Sequence, residues 1–267
     1  MIPYRSFPTI DLGPLSLNTF GVATAAGVLI GFYLLQRHGR HHGLDVASLS
    51  GLATRLVVAG LIGARVAYVL SRGDYFLDRP LEAFAVWNRG LQFFGGMVAG
   101  AVVLWWWLRA NPDLPGLVVA DGIAFALAAG LVAGRVGCFA VGEHLGETTD
   151  FPLGIRYLGG RTIEGPLTVD TTVHSTALYE ALGLLVLIAV LSWLRRRPLP
   201  AGTVLATAAV WYGVQRLLTD FLRAYDRRFL GLTTAQFVSI GLVILGAWML
   251  LLLRRRGRGL VPSGVGP

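Results

Sequence analysis

The chain of 267 residues is 54% hydrophobic and only 14% charged, with a formal net charge of +8 at neutral pH. Soluble domains carry about 25% charged residues, so this composition and a mean hydropathy of +0.63 exclude an ordinary soluble domain and indicate a membrane protein. The basic residues are all arginines and flank apolar segments, which favours lipid headgroups and membrane topology over nucleic acid.

Seven apolar stretches are long enough to cross a bilayer, because a spanning helix needs about 20 mostly apolar residues. The sequence therefore predicts an all-α membrane protein with seven transmembrane helices in one polytopic domain, residues 1–256, and a disordered tail, residues 257–267. The predicted spans, in chain order, are residues 19–36, 50–71, 93–109, 116–134, 175–194, 202–222 and 234–253.

The connection between the fourth and fifth spans, residues 135–173, is too polar to cross a membrane. We expect it to form a small extramembrane cap, with short strands near residues 151–157 and 168–173. Arginine triplets follow the fifth and seventh spans, and the positive-inside rule then places the N-terminus outside and the C-terminus in the cytoplasm.

A dense group of reactive side chains ends the fourth span. Arg135, Cys138, Glu143 and His144 lie within ten residues, separated by glycines. A charge at membrane depth costs about 2.5–3.5 kcal/mol, so Arg135 indicates a function. The plainer alternatives are an arginine that reaches to the interface, solvated Glu143 and His144, and a cysteine that only packs.

The sixth span carries a second group. Tyr212, Arg216 and Asp220 are spaced four residues apart and therefore share one helical face. Arg216 and Asp220 could simply neutralise each other and fix helix packing. Two arginines near one membrane surface would instead form a cleft for an anionic headgroup, because the planar guanidinium fork matches phosphate oxygens.

Other polar residues lie at membrane depth or at its edge. Glu180 falls inside the fifth span and needs a partner, while His174, just before that span, is either an interfacial residue or a general base. Arg65 in the second span is another buried charge.

These residues together resemble the bacterial prolipoprotein diacylglyceryl transferase family over about residues 15–253. The family motifs recur in the same order and spacing, and that order is more specific than any one of them. The matching segments are Gly63-Ala64-Arg65, Trp87, Gly95-Gly96, Asp121-Gly122-Ile123-Ala124, Gly134-Arg135-Val136-Gly137, Gly142-Glu143, Gly146, His174-x-Thr176-x-Leu178-Tyr179-Glu180, Tyr212-Gly213-x-x-Arg216 and Thr234-x-Gln236-x-x-Ser239.

The resemblance implies seven helices, a periplasmic head and a location in the bacterial inner membrane. It implies transfer of the diacylglyceryl group of phosphatidylglycerol to the lipobox cysteine of a prolipoprotein signal peptide, with membrane lipids around the protein and no cofactor, metal or nucleic acid. The residues expected to be catalytic are Arg135, Arg216, Glu143, Asp220 and His174. Those expected to bind substrate are Arg135, Arg216, Tyr212, Gly95, Gly96, Gly146 and Arg65.

The chain departs from the family pattern at three positions, Phe20, Phe94 and Cys138, where relatives carry Tyr, His and Asn. Each change removes a polar group from the expected active site, so the base for the thiol is left to Glu143, His144 or His174. The arginines could also acidify the thiol without a base. The alternatives are a lipid-headgroup or acyl transferase with another acceptor, and a phospholipid-binding protein without catalysis.

Overall fold

The computed structural model describes residues 1–84, 90–159, 169–223 and 229–258, so Trp87 and most of the predicted tail lie outside it. Within these ranges the chain is mostly helical, with six short strands. The helices are α1 Thr19–His41, α2 Val46–Ser71, α3 Gly73–Asp78, α4 Phe93–Ala110, α5 Gly116–Val141, α6 Thr176–Leu194, α7 Thr203–Thr219 and α8 Thr234–Arg258. The strands are β1 Ile2–Tyr4, β2 Thr9–Leu12, β3 Leu15–Asn18, β4 Leu145–Thr148, β5 Ile155–Tyr157 and β6 Thr172–Ser175.

Six of the described helices are long and apolar enough to cross a membrane, and they correspond to six of the seven predicted spans: α1, α2, α4, α5, α6 and α8. The remaining prediction falls on α7, which has 17 residues. At 1.5 Å per residue α7 is about 26 Å long, shorter than the roughly 30 Å hydrocarbon core. It continues into a 3-10 turn, Asp220–Leu222.

The predicted all-α fold with two short strands in the cap is incomplete, because four of the six described strands form a sheet in the order β1-β5-β6-β4. β5 and β6 overlap the two predicted strands, whereas β1 to β4 were missed. β1 pairs in parallel with β5, so Tyr4 lies opposite Tyr157. A three-residue strand whose partner is so far along the chain leaves almost no local pattern. Pro3 is tolerated because β1 is an edge strand.

Helix α5 is longer than the fourth predicted span, which corrects the predicted boundary of the cap. The cap was expected to begin at Arg135, but the helix continues to Val141. The backbone N–H of Glu143 then bonds to the carbonyl of Cys138, and Gly142 adopts a φ of 71°. A glycine in the left-handed region is a common helix terminator. Arg135 is therefore held by helical backbone rather than by a loop.

The chain divides into two compact units, residues Met1–Leu34 with Ala120–Pro267, and residues Leu35–Val119. The first unit has an apolar core between helices, formed by Phe125, Ala128, Leu184, Leu187, Leu191 and Val204. A second apolar cluster lies against its sheet and comprises Tyr4, Leu145, Ile155, Tyr157 and Val173. Within the second unit, α2 packs on α4 through glycines.

Candidate functional site

Three helices of the first unit bring charged side chains together around one carboxylate. Arg135 of α5 places Nε 2.7 Å from Oε2 of Glu180 in α6. Arg216 of α7 places Nη1 2.6 Å from the other carboxylate oxygen, Oε1. Glu180 therefore bridges the two arginines that the sequence singled out, one on each oxygen. Glu180 was expected to need a partner at membrane depth, and it has two, Arg135 and Arg216.

A second carboxylate and a third arginine extend this group. Asp220 Oδ1 lies 3.0 Å from Nη2 of Arg216 and 3.4 Å from Nε of Arg223. Arg223 also places Nη2 3.6 Å from Glu180 Oε1. We call Arg135, Glu180, Arg216, Asp220 and Arg223 the arginine–carboxylate cluster. The ion pair between Arg216 and Asp220 is therefore one contact in a larger network of charges.

Burial differs between the two signs of charge in the cluster. The side chains of Glu180 and Asp220 are 1% and 0% exposed, whereas those of Arg135 and Arg216 are each 13% exposed. Three guanidiniums face two carboxylates, which leaves one net positive charge. Both carboxylates are thus buried, and among the arginines Arg223, at 8% exposed, is more buried than Arg135 and Arg216.

Neutral hydrogen bonds fix the two carboxylates. The hydroxyl of Thr219 donates to Glu180 Oε1 at 3.2 Å, and the hydroxyl of Thr233 donates to Asp220 Oδ2 at 2.6 Å. Thr233 is held in turn by reciprocal hydrogen bonds with Gln236 at the start of α8. Hydrogen bonds to a carboxylate favour its charged form and fix its orientation, so the anionic side of the cluster is preorganised.

The sheet and the start of α6 set the position of the cluster. Ser175 ends β6 and caps α6, accepting a hydrogen bond from the N–H of Leu178, so Glu180 sits in the second turn. The N–H and hydroxyl of Thr176 both donate to the carbonyl of His144, which ties the end of α5 to the start of α6. These links hold the helices of Arg135 and Glu180 together.

Tyr212 and Gly146 contact the cluster in different ways. Tyr212 hydrogen-bonds to the side chain of Arg135, as its position one turn before Arg216 allows. Gly146 in β4 forms an isolated bridge with Arg223. A β-carbon at residue 146 would collide with the carbonyl of Leu222, so only glycine permits this close approach. Gly146 therefore has a packing reason that places Arg223.

Glu143 and His144 follow the end of α5 and lie close to Cys138. The ligand atoms of these three side chains are within 4.8 Å of one another. Cys138 is buried, which agrees with the packing prediction, while Glu143 and His144 are half-buried. Glu143 and His144 are therefore partly accessible to solvent and also close to the thiol of Cys138. Phe20 of α1, another departure from the family pattern, packs near Gly137, which lies in α5 beside Cys138.

His174 is engaged outside the arginine–carboxylate cluster. Its Nδ1 lies 3.0 Å from the hydroxyl of Tyr179, and its ring packs near Phe151. Burial lowers the pKa of His174 below its ordinary value of 6.5, and the charge of Glu147 opposes this shift only in part. The imidazole is therefore neutral at neutral pH and can accept a proton. Its predicted catalytic role stays a prediction.

Three predicted substrate-binding residues belong to the second unit. Arg65 is buried and donates to the carbonyls of Ala83, Glu82 and Gly90 at 2.8, 2.6 and 3.1 Å. Its guanidinium also lies over the ring of Tyr68. These contacts give Arg65 a structural role, holding the connection after α3.

Gly95 and Gly96 lie where α4 touches α2. A β-carbon at residue 96 would lie 2.7 Å from the carbonyl of Gly60, and one at residue 95 would collide with the carbonyl of Gly63. Both glycines are therefore required for close helix packing, whatever else they do. Phe94, beside them, is 45% exposed.

Sequence reasoning missed two cluster members as site residues. The sequence marks Glu180 as a charge that needs a partner but does not assign it to the site, and it does not single out Arg223. The signal for Glu180 was its depth in an apolar helix beside two other unexplained intramembrane charges. Arg223 gave little signal, because its contact depends on the 3-10 turn after α7 and on the bridge to Gly146.

Comparison with known proteins gives a consistent result over nearly the whole chain. Residues 8–252 match the family model described as prolipoprotein diacylglyceryl transferase. A phosphatidylglycerol–prolipoprotein diacylglyceryl transferase of Thermus thermophilus is 31% identical, with 94% of this chain and 98% of the relative covered. One of Aliivibrio fischeri, with the same name, is 34% identical, with 97% and 95% covered.

Proposed function

The chain belongs to the prolipoprotein diacylglyceryl transferase family, and from that premise we propose that it transfers the diacylglyceryl group of phosphatidylglycerol to a cysteine thiol of a prolipoprotein. The acceptor is the lipobox cysteine that follows the signal peptide. Arg135 and Arg216 bind the phosphate, Glu180 and Asp220 orient them, and Arg223 supplies the third positive charge of the cluster.

The observation that carries this proposal is the arrangement of charge in the arginine–carboxylate cluster. The carboxylates are buried, Arg135 and Arg216 retain slight exposure, and positive charge is in excess by one. An anionic ligand is the natural complement of such a group. The guanidiniums of Arg135 and Arg216 each have five N–H donors in a fixed fork, more than their contacts with Glu180 and Asp220 use.

The reaction needs stabilisation of a departing phosphate and removal of one proton. The thiol sulfur forms a bond to the glycerol carbon of the diacylglyceryl group, and the bond between that carbon and the phosphate oxygen breaks. Glycerol phosphate leaves with the bonding electrons, and the thiol proton passes to a base. Preorganised cations in a water-poor site stabilise the charge that develops on the phosphate. The positive charge of the cluster also favours the thiolate form of the acceptor, so the thiol proton leaves more readily.

Purified protein incubated with phosphatidylglycerol and a lipobox peptide tests this function. We expect the peptide to gain one diacylglyceryl group by mass spectrometry, with one glycerol phosphate released per peptide. Arg216→Ala should abolish both products. The matched control is Arg156→Ala, because Arg156 is 52% exposed and pairs only with surface Asp170 in the described contacts. Lipid binding without product would instead identify a non-catalytic binding protein, and an acylated peptide would identify an acyltransferase.

The proposal includes a topology. We propose that α7 with its 3-10 extension serves as the seventh span in the bacterial inner membrane, with the N-terminus periplasmic and the sheet-containing connection after α5 as a periplasmic cap. A cysteine introduced at Ser263, in a Cys138→Ala background, should react only with reagents supplied from the cytoplasmic side. Labelling from the periplasmic side would invert the orientation.

A further inference from the structure

The end of α5 gathers three side chains of the types that bind transition metals. A thiol, a carboxylate and an imidazole, from Cys138, Glu143 and His144, place their ligand atoms within 4.8 Å of one another. In a tetrahedral zinc site with bonds of about 2.0–2.3 Å, ligand atoms are about 3.3–3.7 Å apart. The three groups therefore need to approach by only about 1 Å, which side-chain rotation can supply.

The backbone here is unusual and well anchored. Gly142 and His144 both have positive φ, 71° and 64°. A non-glycine residue in this region is strained and persists only where neighbouring contacts hold it. His144 is held through its carbonyl, which accepts two hydrogen bonds from Thr176. The turn thus brings the side chains of two consecutive residues, Glu143 and His144, to the same thiol.

From this geometry we propose that Cys138, Glu143 and His144 bind one Zn²⁺ ion, with a fourth position open to water or another oxygen ligand. Thiolate and imidazole ligands select zinc over magnesium or calcium. Binding forms a zinc–sulfur bond and releases the thiol proton to solvent, since a coordinating thiol is deprotonated. The thiolate of Cys138 and the carboxylate of Glu143 then balance the two positive charges of the ion, so the occupied site, one helical turn after Arg135, is neutral. The proposal does not depend on the transferase activity.

The test is metal binding by full-length protein purified in detergent without a polyhistidine tag. Metal-free protein is titrated with Co²⁺ as a spectroscopic probe and then with Zn²⁺ in competition. We expect one Co²⁺ per chain, a thiolate-to-cobalt charge-transfer band, and displacement of that band by one Zn²⁺. Cys138→Ser should remove the band, and His144→Leu should weaken Zn²⁺ binding by more than about tenfold.

Two controls distinguish metal binding at this site from binding by other histidines and from effects of unfolding. His42→Gln should leave the band and the affinity unchanged, because His42 belongs to the second unit, where its ring packs against those of His38 and His41. Each variant is checked for the helical signal and elution volume of the wild type. A folded wild-type protein that binds Co²⁺ without a thiolate band overturns the proposal. Full Zn²⁺ affinity in folded His144→Leu also overturns it.

Discussion

Two arginines of this protein, Arg65 and Arg216, lie within apolar helices and have opposite surroundings. Arg65 is surrounded by backbone carbonyls of its own unit and by aromatic rings. Arg216 is bound by two sealed carboxylates and shares one of them with Arg135. The first arrangement ties a connection to a helix. The second collects charges of both signs at one place and leaves positive charge in excess.

The contrast shows that burial of an arginine does not by itself identify a binding site. The acceptors around Arg65 are neutral backbone carbonyls, and its hydrogen bonds to them stabilise the fold. Glu180 and Asp220 orient the guanidiniums of the cluster, while the side chains of Arg135 and Arg216 stay slightly exposed. Partner type, rather than depth in the helix, therefore distinguishes a structural arginine from one that can bind an anion.

The largest expected effect is loss of transfer when a cluster arginine changes. Arg135→Lys and Arg216→Lys should each lower kcat/KM by about 100- to 1,000-fold, close to the loss in the alanine variants, because an ammonium lacks the planar fork. Peptide lipidation assays measure this, with Arg156→Ala as the control. Near-normal turnover in both lysine variants would show that bidentate recognition of phosphate is wrong.

Glu180→Gln should weaken both stability and function. Removing one carboxylate leaves three arginines facing only Asp220, and breaking a buried ion network costs about 3–5 kcal/mol. We expect a lower thermal unfolding midpoint in detergent and a raised KM for phosphatidylglycerol. An unchanged midpoint would mean that the cluster is held by its helices and not by its charges.

Arg65→Met should affect stability but not the chemistry. Its carbonyl partners would lose their donor, at about 1–3 kcal/mol for each buried group left unpaired. Thermal unfolding should therefore occur at lower temperature, while kcat per folded molecule stays near the wild-type value. Loss of phosphatidylglycerol binding by the folded variant would instead support the substrate-binding role that the sequence predicts for Arg65.

The smallest expected effect is on the stability of the fold at acidic pH, through His174. Because its pKa is lowered on folding, the unfolded chain binds the proton more readily, and stability falls as pH drops below about 6.5. In His174→Gln this part of the acid sensitivity should disappear, as measured by unfolding midpoints between neutral and mildly acidic pH. If the pH dependence is the same in both proteins, another group is responsible.

The sequence predicted the helical spans well because hydrophobic length is a local property. It also located Arg135, Arg216 and Asp220, whose helical spacing or depth marks them. It could not show that Glu180 joins Arg135 to Arg216, because that depends on how three helices pack. The strand β1 and the role of Arg223 depend on pairing between distant residues, Tyr4 with Tyr157 and Gly146 with Arg223, which leave no periodic signal.

The central claim is that the excess positive charge of the cluster binds the phosphate of the lipid. Native mass spectrometry of the detergent-solubilised protein, with phosphatidylglycerol and diacylglycerol in competition, measures this directly because only the first lipid has a phosphate. We predict a strong preference for phosphatidylglycerol that is lost in Arg135→Gln and Arg216→Gln and kept in Arg65→Lys. Retention of the full preference in both cluster variants, or its loss only in Arg65→Lys, would contradict the account.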